Sequence, residues 1–201
     1  MVTLLLWTLF GFFLGSIPFS VISGKLLVKR DVRAFGDGNP GGTNAIKAGG
    51  LKAGIPAILL DISKGFLPVY LAQQYGMTGW NLIPIGLAPI LGHAFSPFLR
   101  FHGGKALGAT GGVWVALIGP WAFPIYAFLA LPATLLQSVD AWSANAGMLA
   151  ILGYAILYGE PWMVAFAALN AALIAWKHRH ELVHPPQLRP WISQLLQRKQ
   201  V

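Results

Sequence analysis

Apolar residues in this chain come in long runs, separated by short polar segments rich in glycine, proline and basic residues. Such runs are typical of helices that cross a lipid bilayer, because a span needs about 20 predominantly apolar residues. The pattern predicts spans at 4–22, 53–72, 80–98, 106–118, 121–136, 146–158 and 162–176. The shorter runs either borrow flanking residues or form re-entrant segments. About seven spans are therefore predicted, and about five are the alternative.

Composition agrees with this pattern. The chain has 201 residues, of which 56% are hydrophobic and 10% are charged, whereas soluble domains carry about 25% charged residues. We expect an all-α, polytopic membrane bundle with one domain at 1–180 and a cytoplasmic tail at 181–201. Within the tail, residues 189–201 have the apolar spacing of a short interfacial helix. The absence of cysteine excludes disulfides and thiolate metal sites.

The basic residues orient the predicted bundle. They concentrate after the first span (Lys25, Lys29, Arg30, Arg33, Lys47, Lys52), after the third (Arg100, Lys105) and after the last (Lys177, Arg179, Arg189, Arg198, Lys199). The opposite loops at 73–79 and 159–161 contain no Lys or Arg. The positive-inside rule therefore places the N-terminus outside and these loops in the cytoplasm. The net charge of +8 then fits an anionic leaflet and not a nucleic-acid partner.

Residues 36–44 read GDGNPGGTN, which begins with the G-x-G-x-x-G pattern of dinucleotide-binding proteins. That pattern requires a preceding strand and a later acidic residue, and neither is predicted here. Glycines also allow backbone N–H groups to turn towards an anion, and Asn39, Thr43 and Asn44 add neutral donors. Arg33 and Lys47 flank the loop. It is predicted to bind phosphate, and a flexible cytoplasmic loop is the alternative.

Two further basic segments lie on the same predicted face. Gly103-Gly104-Lys105 follows the third span without the spacing of a Walker A motif. Two Gly-rich, Lys-containing loops on one face favour two phosphate-bearing groups. The segment 177–180, KHRH, ends the last span, and a cap against lipid headgroups is its alternative role.

Asp61 and Lys64 are three residues apart within the second predicted span. Intramembrane charges are expensive, so the two side chains are expected to pair. Such a pair either fixes helix register or supports a functional site.

Five segments carry a family resemblance, in this order: GSIPFS (15–20), RAFGDGNPGGTNAIK (33–47), LLDISKG (59–65), GHAFSPFLRFHGGKALGAT (92–110) and WKHR (176–179). Together they resemble the bacterial acyl-phosphate:glycerol-3-phosphate acyltransferases of the PlsY type. The resemblance implies an integral membrane enzyme that transfers an acyl group from acyl phosphate to glycerol 3-phosphate. Lysophosphatidic acid and phosphate are the products. It implies no metal or cofactor, and cooperation with a soluble enzyme that forms acyl phosphate.

The resemblance also implies roles for particular residues. Catalytic positions are Ser16, Asn39, Thr43, His93 and Lys105. Phosphate-binding positions are Arg33, Gly36, Gly38, Gly41, Asn44, Lys47, Gly103, Gly104, His178 and Arg179. Ser16 is expected to donate a hydrogen bond or to pack between helices and not to act as a nucleophile, since it has no obvious base. A satisfied interfacial histidine is the alternative for His93. Transfer is expected to be direct, with backbone and side-chain donors stabilising the developing charge.

The chain departs from the family pattern at several positions. Asp37 stands where serine is usual, Lys47 where arginine is usual, and His102 where lysine is usual. After Arg179 the usual ending is replaced by HELVHPPQLRPW. A catalytically altered or inactive paralogue is therefore an alternative. A transporter of small anions is another, because short spans interrupted by glycine and proline can line a substrate site.

Overall fold

The computed structural model describes residues 1–192 and 194, and these residues are mainly helical. In chain order the helices are α1 (Val2–Ser16), α2 (Phe19–Val28), α3 (Gly42–Gln74), α4 (Leu82–Ala94), α5 (Leu107–Ile118), α6 (Ala122–Leu136), α7 (Asp140–Tyr158), α8 (Pro161–Lys177) and α9 (Arg179–Leu182). Among these residues, β-type pairing is limited to one antiparallel bridge between Gln137 and Leu188. The predicted all-α class is confirmed.

Five helical segments of this described part are long and apolar enough to cross a membrane: Val2–Val28, Gly42–Gln74, Gly79–Leu99, Leu107–Leu136 and Asp140–Tyr158. Helix α8 is apolar but shorter. Large apolar side chains such as Leu6, Phe13 and Leu157 are exposed. Contiguous exposed apolar surface marks contact with a membrane or a partner. The chain is therefore a multi-pass membrane protein.

Two helices begin earlier than the apolar runs predict. Helix α3 begins at Gly42, within the segment predicted to be a loop, and non-helical backbone at Gly49 and Gly50 interrupts it. Helix α7 begins at Asp140, six residues before the predicted span at 146. Hydropathy detects only the part of a helix that is apolar. The first turns of both helices contain polar residues, such as Asn44 and Ser143, that are buried in the protein.

The chain divides into two compact units, Met1–Pro120 and Trp121–Val201. In the first unit, α3 packs against α2 and α5, while α1 packs against α4. Glycines allow close approach of these helices: a Cβ added at Gly65 would lie 2.9 Å from the Ala109 Cα, and one at Gly112 would lie 2.7 Å from the Phe66 backbone nitrogen. Small residues at such crossings are typical of membrane helix packing.

In the second unit, α7 packs against α6 and α8. The segment after α9 runs alongside the turn between α6 and α7 and forms hydrogen bonds with it. There the Ser138 N–H donates to the Gln187 carbonyl at 2.9 Å, and the Arg189 N–H donates to the Leu136 carbonyl at 3.0 Å. The interfacial helix predicted at 189–201 falls largely on residues outside the described part of the chain. The single domain at 1–180 stays a prediction.

Candidate functional site

The Asp37 carboxylate joins the two glycine-rich loops of the first unit. Its Oδ2 accepts a hydrogen bond from the Lys105 Nζ at 2.7 Å. Its Oδ1 accepts from the Asn44 Nδ2 at 2.8 Å and from the Asn39 backbone N–H at 3.2 Å. A cation, an amide and a backbone donor therefore converge on one carboxylate. This set of donors can hold any compact anion with several oxygens.

The shape of the 36–44 loop depends on two glycines in the left-handed region, Gly36 with φ +60° and Gly38 with φ +75°. Residues with a Cβ rarely adopt this conformation, so these glycines allow the chain to turn around Asp37. The Ser20 hydroxyl in α2 fixes the far side of the loop by donating to the Pro40 carbonyl at 2.7 Å. Helix α3 starts within this segment, at Gly42, with Gly41 as its N-cap.

Gly104 connects the second loop to His93, which lies in the last turn of α4. The Gly104 N–H donates to the His93 carbonyl at 3.1 Å. A Cβ added at Gly104 would clash with the His93 Nε2 and would lie 3.2 Å from the Pro40 carbonyl oxygen. Glycine at this position thus lets the imidazole and the first loop approach each other across the second loop.

A buried charge pair on α3 lies close to the His93 ring. The Lys64 Nζ lies 2.7 Å from the Asp61 Oδ1, and the His93 Nδ1 lies 3.6 Å from the same oxygen. The Lys64 Nζ also donates to the Ile17 carbonyl at 2.8 Å. The pairing predicted for Asp61 and Lys64 is therefore observed. Its proximity to His93 was not expected from the sequence, because 32 positions separate residues 61 and 93.

Ser16 is buried at the end of α1, with 1% of its surface exposed. Its hydroxyl donates to the Phe12 carbonyl at 2.7 Å, one turn earlier in the same helix. Its carbonyl accepts from the Ser96 hydroxyl at 2.5 Å. A Cβ added at Gly92, the residue before His93, would lie 3.0 Å from the Ser16 Oγ. These contacts pack the end of α1 against α4, and the catalytic position of Ser16 stays a prediction.

Arg33 and Lys47 lie beside the first loop but differ in their contacts. The Arg33 side chain donates twice to Asp31, from Nε at 3.0 Å and from Nη2 at 2.7 Å. This guanidinium lowers the pKa of the Asp31 carboxyl to about 2. The Lys47 side chain is close to the loop, since a Cβ added at Gly36 would lie 2.9 Å from its Nζ. Thr43 is exposed in the first turn of α3.

The remaining predicted site residues, His178 and Arg179, belong to the second unit. The His178 Nδ1 lies 2.8 Å from the Ile174 carbonyl oxygen, and the Arg179 Nη1 donates to the Trp176 carbonyl at 2.9 Å. The Arg179 guanidinium lies 4.2 Å from the centre of the Trp176 ring. Thirteen of the fifteen predicted site residues therefore fall in the first unit, and these two make local contacts in the second.

Electrostatics favour an ionised Asp37. Partial burial alone would raise the pKa of its carboxyl, but the hydrogen bonds from Lys105 and Asn44 outweigh this effect and lower the pKa to about 2. The carboxylate is therefore charged at neutral pH. Asp37 was predicted only as a departure from the family pattern, and the sequence contains no signal for its bond to a residue 68 positions away.

Together, the helices and the convergent loops define a multi-pass membrane protein with a polar site in its first unit. A family model described as glycerol-3-phosphate acyltransferase matches residues 5–184. The chain therefore belongs to the glycerol-3-phosphate acyltransferase family, as the motifs predicted.

Relatives and solved structures agree with this assignment. The glycerol-3-phosphate acyltransferase of Maridesulfovibrio salexigens is 35% identical over 176 residues, covering 88% of this chain and 90% of the relative. That of Aromatoleum aromaticum is 37% identical over 180 residues, covering 87% and 88%. A crystal structure of the integral membrane acyltransferase PlsY (YgiH), in its glycerol 3-phosphate form, matches with a TM-score of 0.81 and 29% identity, covering 96% of this chain and 98% of the other. Its lysophosphatidic acid form matches with a TM-score of 0.79 and 30% identity, covering 89% of each chain.

Proposed function

We propose that this protein transfers a fatty acyl group from acyl phosphate to glycerol 3-phosphate, giving lysophosphatidic acid and inorganic phosphate. The observation that carries the proposal is the convergence of Lys105, Asn44 and the loop backbone on the Asp37 carboxylate, in the loops that contact His93. Membership of the family and the ligand forms of the PlsY structures support it. Acyl phosphate as donor rests on the motif resemblance alone.

The proposed reaction is a direct transfer. The glycerol 3-phosphate hydroxyl attacks the acyl carbonyl, a new ester C–O bond forms, and the bond between the acyl carbon and the donor phosphate breaks. The leaving phosphate accepts the hydroxyl proton. Asn39 and Thr43, with N–H groups of the loops, stabilise the negative charge that develops on the carbonyl oxygen, and Lys105 binds the phosphate of glycerol 3-phosphate. Much of the rate enhancement comes from holding the hydroxyl of glycerol 3-phosphate close to the acyl carbonyl in the correct orientation, since acyl phosphate is already activated.

In the proposed site, phosphate is bound from one side by Lys47, Arg33 and Asn44. Five glycines allow backbone N–H groups to approach the phosphate: Gly36, Gly38, Gly41, Gly103 and Gly104. His93 orients the attacking hydroxyl. Ser16 supports the end of α4 through Gly92. The phosphate-binding role of His178 and Arg179 stays a prediction.

We further propose that α1, α3, α4, α5, α6, α7 and α8 each cross the bacterial inner membrane, with the N-terminus outside and the glycine-rich loops in the cytoplasm. The non-helical backbone at Gly119, with φ +72°, separates α5 from α6 and supports counting them as two spans. A cytoplasmic site is accessible to a soluble enzyme that forms acyl phosphate. Since the chain has no cysteine, single cysteines at 37, 77 and 160 can be labelled in intact cells. Labelling of residue 37 from outside would contradict the topology.

The activity is tested with purified protein, acyl phosphate and radiolabelled glycerol 3-phosphate. We expect labelled lysophosphatidate and phosphate in equal amounts. A folded protein that forms neither product would overturn the proposal. Proteoliposomes loaded with labelled glycerol 3-phosphate test the transporter alternative, which predicts efflux without acyl donor.

A further inference from the structure

Asp37 holds the donors that an anionic substrate needs. Its two carboxylate oxygens accept from Lys105 at 2.7 Å, from Asn44 at 2.8 Å and from the Asn39 N–H at 3.2 Å. A carboxylate and a phosphate both present negatively charged oxygens that accept hydrogen bonds from such donors. The side chain therefore makes the contacts that the phosphate of a substrate would make.

We propose that Asp37 is an internal competitor of the substrate phosphate: its carboxylate holds Lys105 and Asn44 before binding and must leave them when a phosphate monoester binds. The inference rests on the proposed function, because it assumes that Lys105 and Asn44 bind the glycerol 3-phosphate phosphate. It assigns to Asp37 control over how tightly, and how selectively, the site binds anions.

The two anions exclude each other for electrostatic reasons. A carboxylate and a phosphate dianion within the same ring of donors repel each other, and this repulsion is strong away from bulk water. While Asp37 holds Lys105 and Asn44, the pKa of its carboxyl is about 2, so the side chain is charged at neutral pH when a phosphate approaches. Displacement of the side chain is then the remaining way to admit the phosphate.

The local structure allows this displacement. The Asp37 side chain is 47% exposed, so a rotation into water uncovers little apolar surface. Its neighbours Gly36 and Gly38 have no side chains to obstruct the rotation. Lys105, by contrast, is only 20% exposed, so the surrounding protein restricts the movement of its side chain. The donors are thus kept in position, and the competitor is the mobile partner.

Competition has a measurable size. If Asp37 has left Lys105 and Asn44 in about one tenth of the molecules, the apparent affinity for glycerol 3-phosphate is about tenfold lower than it would be without the competitor. A phosphate dianion offers more charge and more oxygens than a carboxylate and can displace it, whereas a monoanion such as acetate offers no gain. Competition by the Asp37 carboxylate therefore makes the site selective for phosphate monoesters over singly charged anions.

The experiment is calorimetric titration of glycerol 3-phosphate and of acetate into purified wild-type protein, Asp37→Ser and Asp37→Asn. Asp37→Ser restores the usual residue of the family pattern, and Asp37→Asn keeps the size of the side chain. We expect both variants to bind glycerol 3-phosphate about tenfold more tightly and to gain measurable acetate binding. The matched control is Asp140→Asn, which removes an exposed carboxylate at the start of α7. It should leave both affinities unchanged.

Equal or weaker glycerol 3-phosphate binding by both folded variants would overturn the inference, and Asp37 would then be a positioning residue for Lys105. Thermal unfolding of each variant shows whether it is folded. Failure of the proposed function is a separate result, because wild-type protein would form no lysophosphatidate while the titrations still report on Asp37. If no variant binds either anion, the inference is also wrong.

Discussion

Two Asp–Lys pairs in the first unit have the same Nζ–Oδ distance of 2.7 Å but opposite surroundings. In the pair of Asp61 and Lys64, the side chains are 5% and 1% exposed. In the pair of Asp37 and Lys105, they are 47% and 20% exposed. Desolvation makes a buried charge very costly without its partner, whereas water can replace the partner of an exposed charge. The first pair is therefore a fixed part of the helix packing, and the second can exchange its partner for a substrate.

His93 relates the two pairs in space. Its Nδ1 faces Asp61 at 3.6 Å, and its carbonyl accepts from the Gly104 N–H, beside Lys105. The fixed pair thus lies against the histidine from α3, while the exchangeable pair lies with the loops. Functional residues keep a productive geometry when rigid elements of the fold support them.

The largest expected effect comes from breaking the buried pair. Asp61→Ala leaves the Lys64 ammonium buried without its carboxylate, and removal of one partner of a buried pair costs about 3–5 kcal/mol. We expect a corresponding loss in the free energy of unfolding, measured by denaturant titration in mild detergent.

The double variant with Asp61→Leu and Lys64→Met is the control for the Asp61→Ala result. It removes both charges and should recover much of the lost stability. A loss below about 1 kcal/mol in Asp61→Ala would show that water or another group solvates Lys64 and that the pair is not structurally fixed.

The next effect concerns the exchangeable pair. Lys105→Ala removes a charge-assisted hydrogen bond to the substrate phosphate, which contributes about 1.5–3 kcal/mol. The KM for glycerol 3-phosphate should rise by roughly ten- to hundredfold. Steady-state kinetics at saturating acyl phosphate measure it.

Lys105→Arg keeps the charge and should retain more affinity than Lys105→Ala. Because Lys105→Ala also removes the cation that pairs with Asp37, the double variant Asp37→Ser with Lys105→Ala separates the loss of the substrate contact from the loss of the Asp37 pair. An unchanged KM in Lys105→Ala would remove Lys105 from the proposed site.

A smaller effect is expected at Gly104, which packs against His93. In Gly104→Ala, the added Cβ would clash with the His93 Nε2. Displacement of the ring should lower kcat by on the order of tenfold, since misplacement by about 1 Å is enough to reduce rates by up to about a hundredfold. Gly153→Ala is the matched control, because a Cβ there meets nothing within 4 Å. Equal kcat values in the two variants would show that His93 does not orient a substrate.

Sequence and structure differ in an instructive way for the two pairs. Asp61 and Lys64 lie one helical turn apart, so helix periodicity and the cost of intramembrane charge predict their pairing. Asp37 and Lys105 are 68 positions apart, and only the packing of α3 against α5 and the turn of the loop bring them together. The donors of the site could therefore be predicted from glycine-rich motifs, but their partner could not.

The helices show the same limit. Apolar runs predict where α5, α6 and α8 begin and end to within one residue. They miss the start of α3 at Gly42, where buried Asn44 belongs to the site and not to the lipid-facing surface. Hydropathy is informative about contact with lipid, and it is silent about polar turns that are buried in protein.

The smallest expected effect is the pH dependence of the exposed pair. The pKa of the Asp37 carboxyl is about 2 in the folded protein, below its ordinary 3.8. A depressed pKa means that the pair's stabilisation is complete above about pH 4 and is lost as the pH falls towards 2. Because the pair is partly exposed, we expect it to contribute no more than about 1 kcal/mol. A double-mutant cycle of Asp37→Asn and Lys105→Met, followed by thermal unfolding from pH 7 to pH 2, isolates this contribution. A coupling that grows on acidification would contradict the assigned pair.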